Sequence, residues 1–197
     1  MLMVGVVVAE VESELWGGLL SCPSCSGVLA PWGYARERMV RVRWGQLVGL
    51  RPRRAKCGGC AGTHVLLPDL CLLRRQYGVA VIGAAIEARA RRRGGYRWIA
   101  AWLEVPVRTV RRWLARFASN AEAIRALFTR WAFALDPELG PIAPAGGAFA
   151  DAVEAIGVAA RAWVLRLGRD RASWRLVALL SGGMLLATRG DLFPAAP

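Results

Sequence analysis

The sequence is poor in the residue types from which most enzyme active sites are built. Its 197 residues include a single histidine, His64, and 14 acidic residues against 27 basic ones. The C-terminal part from Ala121 offers no nucleophile beside a base and no paired carboxylates near a histidine, and no Gly-Gly pair of the chain carries the Lys-Ser/Thr of a P-loop. These absences argue against hydrolytic and nucleotide-dependent chemistry, and they predict a protein that is not an enzyme.

The chain also lacks a hydrophobic run of the roughly 20 residues that a membrane span needs. The apolar stretch Leu176–Ala187 is interrupted by Ser-Gly-Gly. The apolar stretch Met1–Ala9 has no basic leader, and three glutamates follow it within five residues. This pattern is typical of a β-strand or a buried start rather than of a signal peptide. We therefore expect a cytoplasmic protein with no membrane partner.

The charge is strongly positive and unevenly distributed. The net charge is +13, and 19 of the 27 basic residues lie between Arg36 and Arg116, whereas residues 117–197 are nearly neutral. A basic globular chain attracts polyanions. We therefore expect residues 36–116 to face a polyanion, either nucleic acid or an anionic membrane surface. The helix-turn-helix pattern described below favours double-stranded DNA as the partner, with the nucleoid as the location.

Four of the five cysteines form two Cys-x-x-Cys-x-Gly motifs. The two-residue spacer lets a tight turn direct both thiolates at one cation, and the glycine after it permits a positive φ. Four thiolates are the tetrahedral ligand set of a structural Zn²⁺ site and leave no open position for catalysis. The predicted zinc ligands are Cys22, Cys25, Cys57 and Cys60.

Other interpretations of the cysteines stay open at this point. Two disulfides require an oxidising compartment, and a redox Cys-x-x-Cys requires a surrounding βαβ pattern, so both are less favoured than metal binding. His64 lies four residues after Cys60 and could replace a ligand, although a packing or hydrogen-bonding role is favoured. Cys71 stands in an apolar run and is expected to be buried.

The 31 residues between the two motifs exceed the usual 15–20. They contain three predicted strands, Val28–Tyr34, Glu37–Trp44 and Leu47–Lys56. From Met39 to Trp44, apolar and basic residues alternate, as on a half-buried strand. We therefore expect a small β zinc ribbon.

The periodicity becomes helical from Val79 onward, and this helix is expected to end in the run Arg91–Gly95. The next segment, Trp98–Leu114, follows the common helix-turn-helix pattern, in which a small residue allows close crossing and apolar residues fill the gap between the helices. Glu104 replaces the usual turn glycine, and Pro106 replaces the usual capping serine and is acceptable at a first helical position. The matching residues are Ile99, Ala100, Leu103, Val105, Thr109, Val110, Trp113 and Leu114.

The second helix of such a motif enters the major groove of DNA. Arg108 and Arg112, four residues apart, are the candidates for bidentate contact with guanine, and Val107 could meet a thymine methyl group. An ordinary helical hairpin with solvated arginines is the alternative. The remaining candidate DNA-binding residues, assigned mainly to phosphate contacts, are Thr109, Arg111, Arg116, Arg97, Arg91, Arg92, Arg93 and, on the ribbon, Arg41 and Arg43.

The C-terminal part is predicted to consist of the helices Ala121–Leu135, Phe149–Leu167 and Ala172–Ala187, with a Pro/Gly-rich linker over Pro137–Gly147. These helices could form a homodimer or pack within one monomer. The fold class expected for the whole chain is α+β, mostly α. Three domains are expected: a zinc-ribbon domain (1–73), a helix-turn-helix domain (74–120) and a C-terminal helical region (121–197).

The order of these motifs resembles a family of small actinobacterial proteins that share the domain of unknown function DUF6431. The residues that carry the resemblance are the two cysteine pairs, the run Cys-x-x-Cys-x-x-Thr-His-x-Leu-Leu-Pro over Cys57–Pro68, and the helix-turn-helix. The family looks like the N-terminal part of insertion-sequence transposases, and the resemblance covers about residues 15–120. It implies zinc binding by the four paired cysteines and DNA binding by the helix after Pro106, and it implies no catalytic activity.

The function that these observations favour is sequence-specific, non-catalytic DNA binding in transcription or for a mobile element. A DNA-binding subunit or remnant of a transposase or recombinase is one alternative, and a protein- or RNA-interaction module is another. The acidic residues after position 117 lie in a helical context without alternating strands, which argues against the three-carboxylate core of a transposase nuclease.

Overall fold

The computed structural model describes residues 1–168 and 173–187, and within them the chain has an α+β fold with more helix than strand. This confirms the fold class predicted from the sequence. The strands are β1 (Leu2–Val4), β2 (Leu29–Tyr34), β3 (Arg38–Arg41), β4 (Leu47–Leu50), β5 (Arg53–Cys57) and β6 (Thr63–Pro68). The helices are α1 (Val8–Trp16), α2 (Val79–Ala90), α3 (Tyr96–Trp102), α4 (Val107–Ser119), α5 (Ala121–Leu135), α6 (Ala148–Leu167) and α7 (Ser173–Leu180), with a 3₁₀ turn at Arg43–Gly45.

The main sheet has the strand order β1-β6-β5-β2. Strands β2, β5 and β6 pair antiparallel, whereas β1 pairs parallel with β6. Neighbouring residues of a strand point to opposite faces, and in β6 Leu66 and Leu67 accordingly join two different buried clusters. The same division separates Val4 from Met3 in β1. The β1–β6 pair therefore packs against one cluster on each of its two faces.

The third predicted strand, Leu47–Lys56, is two strands in the structure. The break falls at Pro52, which has no N–H to donate to a ladder and whose carbonyl instead accepts from the N–H of Ala35 at 2.8 Å. Strands β3 and β4 form a separate hairpin, and its buried residue Val40 belongs to the larger buried cluster, most of which comes from the helices. The prediction of short strands between the cysteine pairs is confirmed, but their number was wrong.

The N-terminal prediction of a strand or buried start is correct only for Leu2–Val4. The following glutamate-rich residues form α1, because Val11 and Leu15 lie four residues apart and bury one face of the helix against the main sheet. Glu10 and Glu14 are exposed, whereas Glu12 is half-buried and faces Arg53 of β5. The alternating glutamates of the sequence do not distinguish such a helix from the edge of a strand.

The helices of the second half agree closely with the sequence. Helix α2 begins at Val79, α5 spans Ala121–Leu135 as predicted, and α6 begins one residue earlier than expected. Residues 137–147 form no regular element, as expected of a linker. The last predicted helix, Ala172–Ala187, is shorter: α7 ends at Leu180, and turns follow up to Ala187. The expected end of this region near Gly190 and Pro194 lies outside the described residues.

Two buried clusters hold the described part of the chain together. The smaller contains eight residues from α1, the main sheet and the first cysteine motif. The larger contains 35 residues, from Met3 and Val40 through the helices to Leu186. Within the described residues, no helix combines the length and the apolar character needed to cross a membrane. The predicted division into three domains stays a prediction.

Candidate metal centre and nucleic-acid interface

The four paired cysteines come together at one end of the main sheet. The first motif precedes β2 and the second follows β5, and because these strands pair with Leu29 opposite Cys57, the two turns meet. All four sulfur atoms lie within 4.8 Å of one another. The Sγ atoms of Cys22 and Cys60 are 3.8 Å apart, and those of Cys25 and Cys57 are 3.4 Å apart. Among the described residues, all five cysteines are free of disulfide bonds.

The two turns have nearly the same backbone. The N–H of Cys22 donates to the carbonyl of Gly27 at 2.8 Å, and the N–H of Cys57 donates to the carbonyl of Gly62 at 2.9 Å. Backbone N–H groups also point at the sulfurs, from Ser24 to Cys22 at 3.4 Å and from Gly59 to Cys57 at 3.3 Å. Such bonds stabilise thiolates and orient them as ligands.

The glycine of each motif does not have the role that the sequence predicted for it. The positive φ angles belong to the preceding residues, Ser26 (59°) and Ala61 (57°). Glycine is instead favoured because a side chain at this position would crowd a cysteine sulfur. A Cβ at Gly27 would lie 3.1 Å from the sulfur of Cys57, and one at Gly62 would lie 3.3 Å from the sulfur of Cys60.

The hydrogen bonds of the turns change the acidity of the thiols. The N–H of Ser24 is the main cause that lowers the pKa of Cys22, to about 6, and the N–H of Cys60 lowers the pKa of Cys57. For Cys25, the N–H of Gly27 lowers the pKa, but the neighbouring thiols of Cys57 and Cys60 and partial burial outweigh it and raise the pKa to about 11. Backbone N–H groups thus lower the pKa of two of the four candidate ligands, Cys22 and Cys57.

The remaining ligand-type side chains near the cluster have supporting positions. The Nε2 atom of His64 lies 3.3 Å from the sulfur of Cys22, and its Nδ1 atom lies 3.1 Å from the backbone nitrogen of Met1. His64 therefore has the hydrogen-bonding role favoured from the sequence, beside the four sulfurs rather than among them. Cys71 is fully buried, as expected, and accepts a hydrogen bond from Arg38 Nη2 at 2.9 Å.

This donor set fits a metal ion. Sulfurs around a tetrahedral ion at about 2.3 Å are about 3.8 Å from one another, and the measured separations of 3.4 and 3.8 Å are close to that value. A disulfide would require about 2.05 Å. The four cysteines can therefore hold one metal ion.

Helices α3 and α4 are joined by the short segment from Leu103 to Pro106, and their contact is apolar. Ile99 and Ala100 of α3 are buried, as are Val105 of the connection and Val110 and Trp113 of α4. Glu104 has a φ of 54°, so the turn does require the left-handed conformation for which glycine is usual. Pro106 precedes the first helical residue and lies at the N-cap with ψ at 135°, which corrects the expected first helical position.

Helix α4 has one apolar and one basic face. Val110, Trp113, Leu114 and Phe117 are buried in the larger cluster. Arg108, Arg111 and Arg112 are exposed, whereas Val107, Thr109 and Arg116 are half-buried. The helix contains no acidic residue, so every charged group on its outer face is positive.

The predicted phosphate-binding residues near the ends of α2 and α3 are exposed. Arg91, Arg92 and Arg93 follow the end of α2, and Arg97 lies on α3. The side chain of Arg91 is also 3.8 Å from Glu87. The guanidinium group of Arg111 on α4 lies 5.6 Å from the ring centre of Tyr96, which brings α4 and the start of α3 together on this surface.

On the β3–β4 hairpin, Arg41 and Arg43 are exposed, and two further arginines of the ribbon, Arg38 and Arg53, contact partners within the protein. Arg38 is bound to Cys71, and Arg53 forms an ion pair with Glu12 at 2.9 Å. These two side chains stabilise the fold, because each is turned towards a partner within the protein.

Sequence reasoning missed two arginines next to α4. Arg74 and Arg75 precede α2, and their loop lies against α4, where Tyr77 packs edge-on against Trp113 with ring centres 5.0 Å apart. Together with Arg112 and Arg116 they line a surface pocket of about 290 Å³. The dipeptide Arg74-Arg75 is the signal that could have drawn attention to this loop, but its position beside α4 depends on tertiary contacts.

Comparison with known proteins gives one result. No curated protein and no solved structure matches the chain. A family model described as "Domain of unknown function (DUF6431)" matches residues 22–113, in agreement with the resemblance found in the sequence, and the matched segment runs from the first cysteine of the metal centre to Trp113 of α4.

Proposed function

We propose that the protein binds double-stranded DNA sequence-specifically and without catalysis, using α3 and α4 as a helix-turn-helix and a four-cysteine Zn²⁺ site as a structural support. The observation that carries the proposal is the outer face of α4, whose charged residues are all arginines, opposite a fully apolar inner face. An exposed helix that serves solubility alone normally mixes acidic and basic residues. This helix carries arginine as its only charged residue type, which suits a polyanionic partner.

The arginines of α4 are assigned different DNA contacts according to their positions along the helix. Residues near the N-terminus of a recognition helix reach base edges, so Arg108, which is exposed one residue after the helix begins, is assigned to guanine, and Val107 to a thymine methyl group. Arg111 is assigned to phosphate, because its guanidinium group lies over Tyr96, on the side of α3. Arg41, Arg43, Arg91–Arg93 and Arg97 extend the positive surface for further phosphates.

Zinc is the metal that the donor chemistry favours. Four sulfur ligands in a tetrahedron select Zn²⁺ or iron–sulfur chemistry, and a single ion held by two Cys-x-x-Cys turns is the structural zinc arrangement. When bound, the ion would cross-link the turn before β2 to the turn after β5. Because four protein sulfurs complete the tetrahedron, no position is left for a reacting water.

One experiment tests both parts of the proposal. Duplexes bound by the purified protein are selected from a random pool, and the metal content of the same sample is measured by mass spectrometry. We expect one zinc ion per chain, an enriched sequence motif, and affinity that falls steeply with salt as phosphate contacts are screened. Protein without metal contradicts the zinc site, and failure to bind duplexes at low salt contradicts DNA binding.

The same sample distinguishes the competing functions. Competition by structured RNA that exceeds competition by duplex DNA would favour an RNA-interaction module. Cleavage of the selected duplex in the presence of a divalent cation would favour a transposase or recombinase subunit. The proposal predicts neither result. Whether the protein binds as a homodimer is answered by the spacing of repeated half-sites in the selected sequences.

A further inference from the structure

Four arginines from two distant parts of the chain surround one surface pocket. Arg74 and Arg75 come from the loop before α2, and Arg112 and Arg116 lie one turn apart on α4. The pocket has a volume of about 290 Å³, and its lining includes no acidic residue. Within residues 1–168 and 173–187, none of these four guanidinium groups forms an ion pair with a carboxylate.

The pocket is built by specific contacts rather than by loose surface side chains. Arg75 is half-buried, its Nη2 donates to the carbonyl of Leu186 at 2.6 Å, and its Nε is buried without a hydrogen-bond partner in the described part of the chain. The loop is fixed on its other side, because the N–H of Arg41 donates to the carbonyl of Gln76 at 2.7 Å. The edge-on contact of Tyr77 with Trp113 joins the loop to α4.

The electrostatics of the pocket favour an anion. Burial lowers the pKa of Arg75, and the positive charges of Arg116 and Arg112 lower it further. Like charges gathered at a partly desolvated position repel one another. An anion with several oxygens would relieve this repulsion and accept hydrogen bonds from several guanidinium groups at once.

We propose that this pocket holds a backbone phosphate of the bound DNA, with Arg74, Arg75, Arg112 and Arg116 as its ligands. The proposal rests on the DNA binding proposed above and adds to it a phosphate site that lies partly outside the helix-turn-helix. It also changes the role of Arg112. The sequence assigned Arg112 to guanine together with Arg108, whereas the structure places it in the pocket lining beside Thr109 and Arg116.

The test uses Arg74→Gln, because Arg74 lies outside α4 and a loss there is not a loss of base contacts by that helix. Affinity of the zinc-bound full chain is measured by fluorescence anisotropy for the selected duplex and for a scrambled one, at about 50 and about 200 mM salt. Arg112→Gln is measured in parallel. Arg130→Gln is the matched control, since it removes one exposed arginine of α5 that does not line the pocket.

Each phosphate contact contributes about 0.9 to the slope of log affinity against log salt. We therefore expect the loss of affinity over this fourfold salt range to become about 3.5-fold smaller for Arg74→Gln and for Arg112→Gln than for the unchanged protein. Both variants should lose the same factor on selected and scrambled duplexes, and Arg130→Gln should keep the original slope. Equal thermal unfolding midpoints check that all variants are folded.

Each of three different outcomes would overturn the proposal. If the unchanged protein binds DNA and the slopes of the variants equal that of Arg130→Gln, the phosphate site is wrong while DNA binding stands. If Arg112→Gln loses affinity on the selected duplex alone, Arg112 reads a base. If inorganic phosphate raises the unfolding midpoint of the unchanged protein but not of Arg74→Gln, and the DNA slopes are equal, the pocket binds a free anion instead.

Discussion

The two buried clusters of this protein differ in size by a factor of four. Eight residues, two of them metal-centre cysteines, lie in the cluster beneath α1, whereas 35 residues lie in the cluster that α2–α7 share. Fully burying a Val or Leu side chain stabilises a fold by about 1.5–3 kcal/mol, against the entropy of ordering each residue. We therefore expect the small cluster, but not the large one, to depend on a cross-link from outside the apolar interactions.

The candidate DNA-binding helix packs in the large cluster, which contains none of the four paired cysteines. Helix α4 buries its apolar face in the large cluster, and the β3–β4 hairpin is anchored there by Val40 although it lies between the two cysteine pairs. The candidate metal centre and the basic surface are thus connected through the β3–β4 hairpin and through the β1–β6 pair, which packs against both clusters. The predictions below separate the two regions.

The largest effect is expected from removal of the metal. Binding of a structural zinc ion contributes on the order of 10 kcal/mol to folding, so a chelator or Cys57→Ser should release most of the stability of β2, β5 and α1. Helices α5 and α6 should stay folded, because they contact each other and not the cysteines. Hydrogen exchange followed by mass spectrometry would show protection lost in the first region and kept in the second.

The control for this prediction is Cys71→Ser. Cys71 is buried in the large cluster, outside the group of four sulfurs, so this variant should keep its metal and the protection of β5. Simultaneous loss of protection in α5 and α6 on chelation would mean that the two regions fold as one unit.

The next effect concerns the large cluster alone. A Cβ at Gly83 of α2 would overlap the ring of Trp174, whose Nε1 donates to Glu87 at 2.6 Å. Gly83→Ala should therefore destabilise the protein by about 1–3 kcal/mol through overpacking. Gly157→Ala, in α6, meets only the end of Arg161 at 3.6 Å and should stabilise by roughly 0.5–1 kcal/mol. Urea unfolding measures the change in the free energy of unfolding for both variants. A change of the same sign in both would contradict the packing of α2 against Trp174.

A smaller effect is expected at the metal centre from the glycines beside the sulfurs. Gly27→Ala would press a methyl group towards Cys57 and Cys25, at 3.1 and 3.4 Å from their sulfurs. Displaced ligands typically lower metal affinity by about 10- to 100-fold. Gly58→Ala is the matched control, because its methyl group would lie no closer than 3.9 Å to any neighbour. Competition with a zinc-binding dye gives both affinities, and equal values would show that space beside the sulfurs is not limiting.

The smallest effect is expected at the connection between α3 and α4. Glu104 has a φ of 54°, a conformation that costs most residues about 1–2 kcal/mol but costs glycine little. Glu104→Gly should therefore raise the stability by roughly 0.5–1 kcal/mol after the extra freedom of glycine in the unfolded chain is subtracted. Glu104→Ala, which keeps a Cβ, should bring no such gain. Thermal unfolding compares the two, and equal midpoints would mean that the turn is not strained.

Local patterns in the sequence predicted the elements that local interactions determine. The spacing of the cysteines identified the group that the structure brings within 4.8 Å, and the helical pattern together with the linker that begins at Pro137 identified the bounds of α5. The long gap between the cysteine pairs also indicated additional strands, and the structure places the β3–β4 hairpin there.

Features that depend on distant contacts were not predicted. Strand β6 was missed, and its parallel pairing with β1 joins residues more than 60 positions apart. Whether residues 8–16 form a strand or a helix depends on the sheet against which Val11 and Leu15 pack. The pocket of four arginines combines a loop with a helix about 40 residues later. In each case the sequence contains the residues, but tertiary packing decides which of them become neighbours.

The most direct test of the account is the effect of Arg108→Ala on duplex binding. Arg108 is the exposed residue near the start of α4 that is assigned to a guanine, and loss of such a contact costs about 1–3 kcal/mol on the preferred sequence. Fluorescence anisotropy should therefore show a large loss of affinity for the selected duplex and little loss for a scrambled one. An equal loss on both, or no loss on either, would contradict base reading by α4.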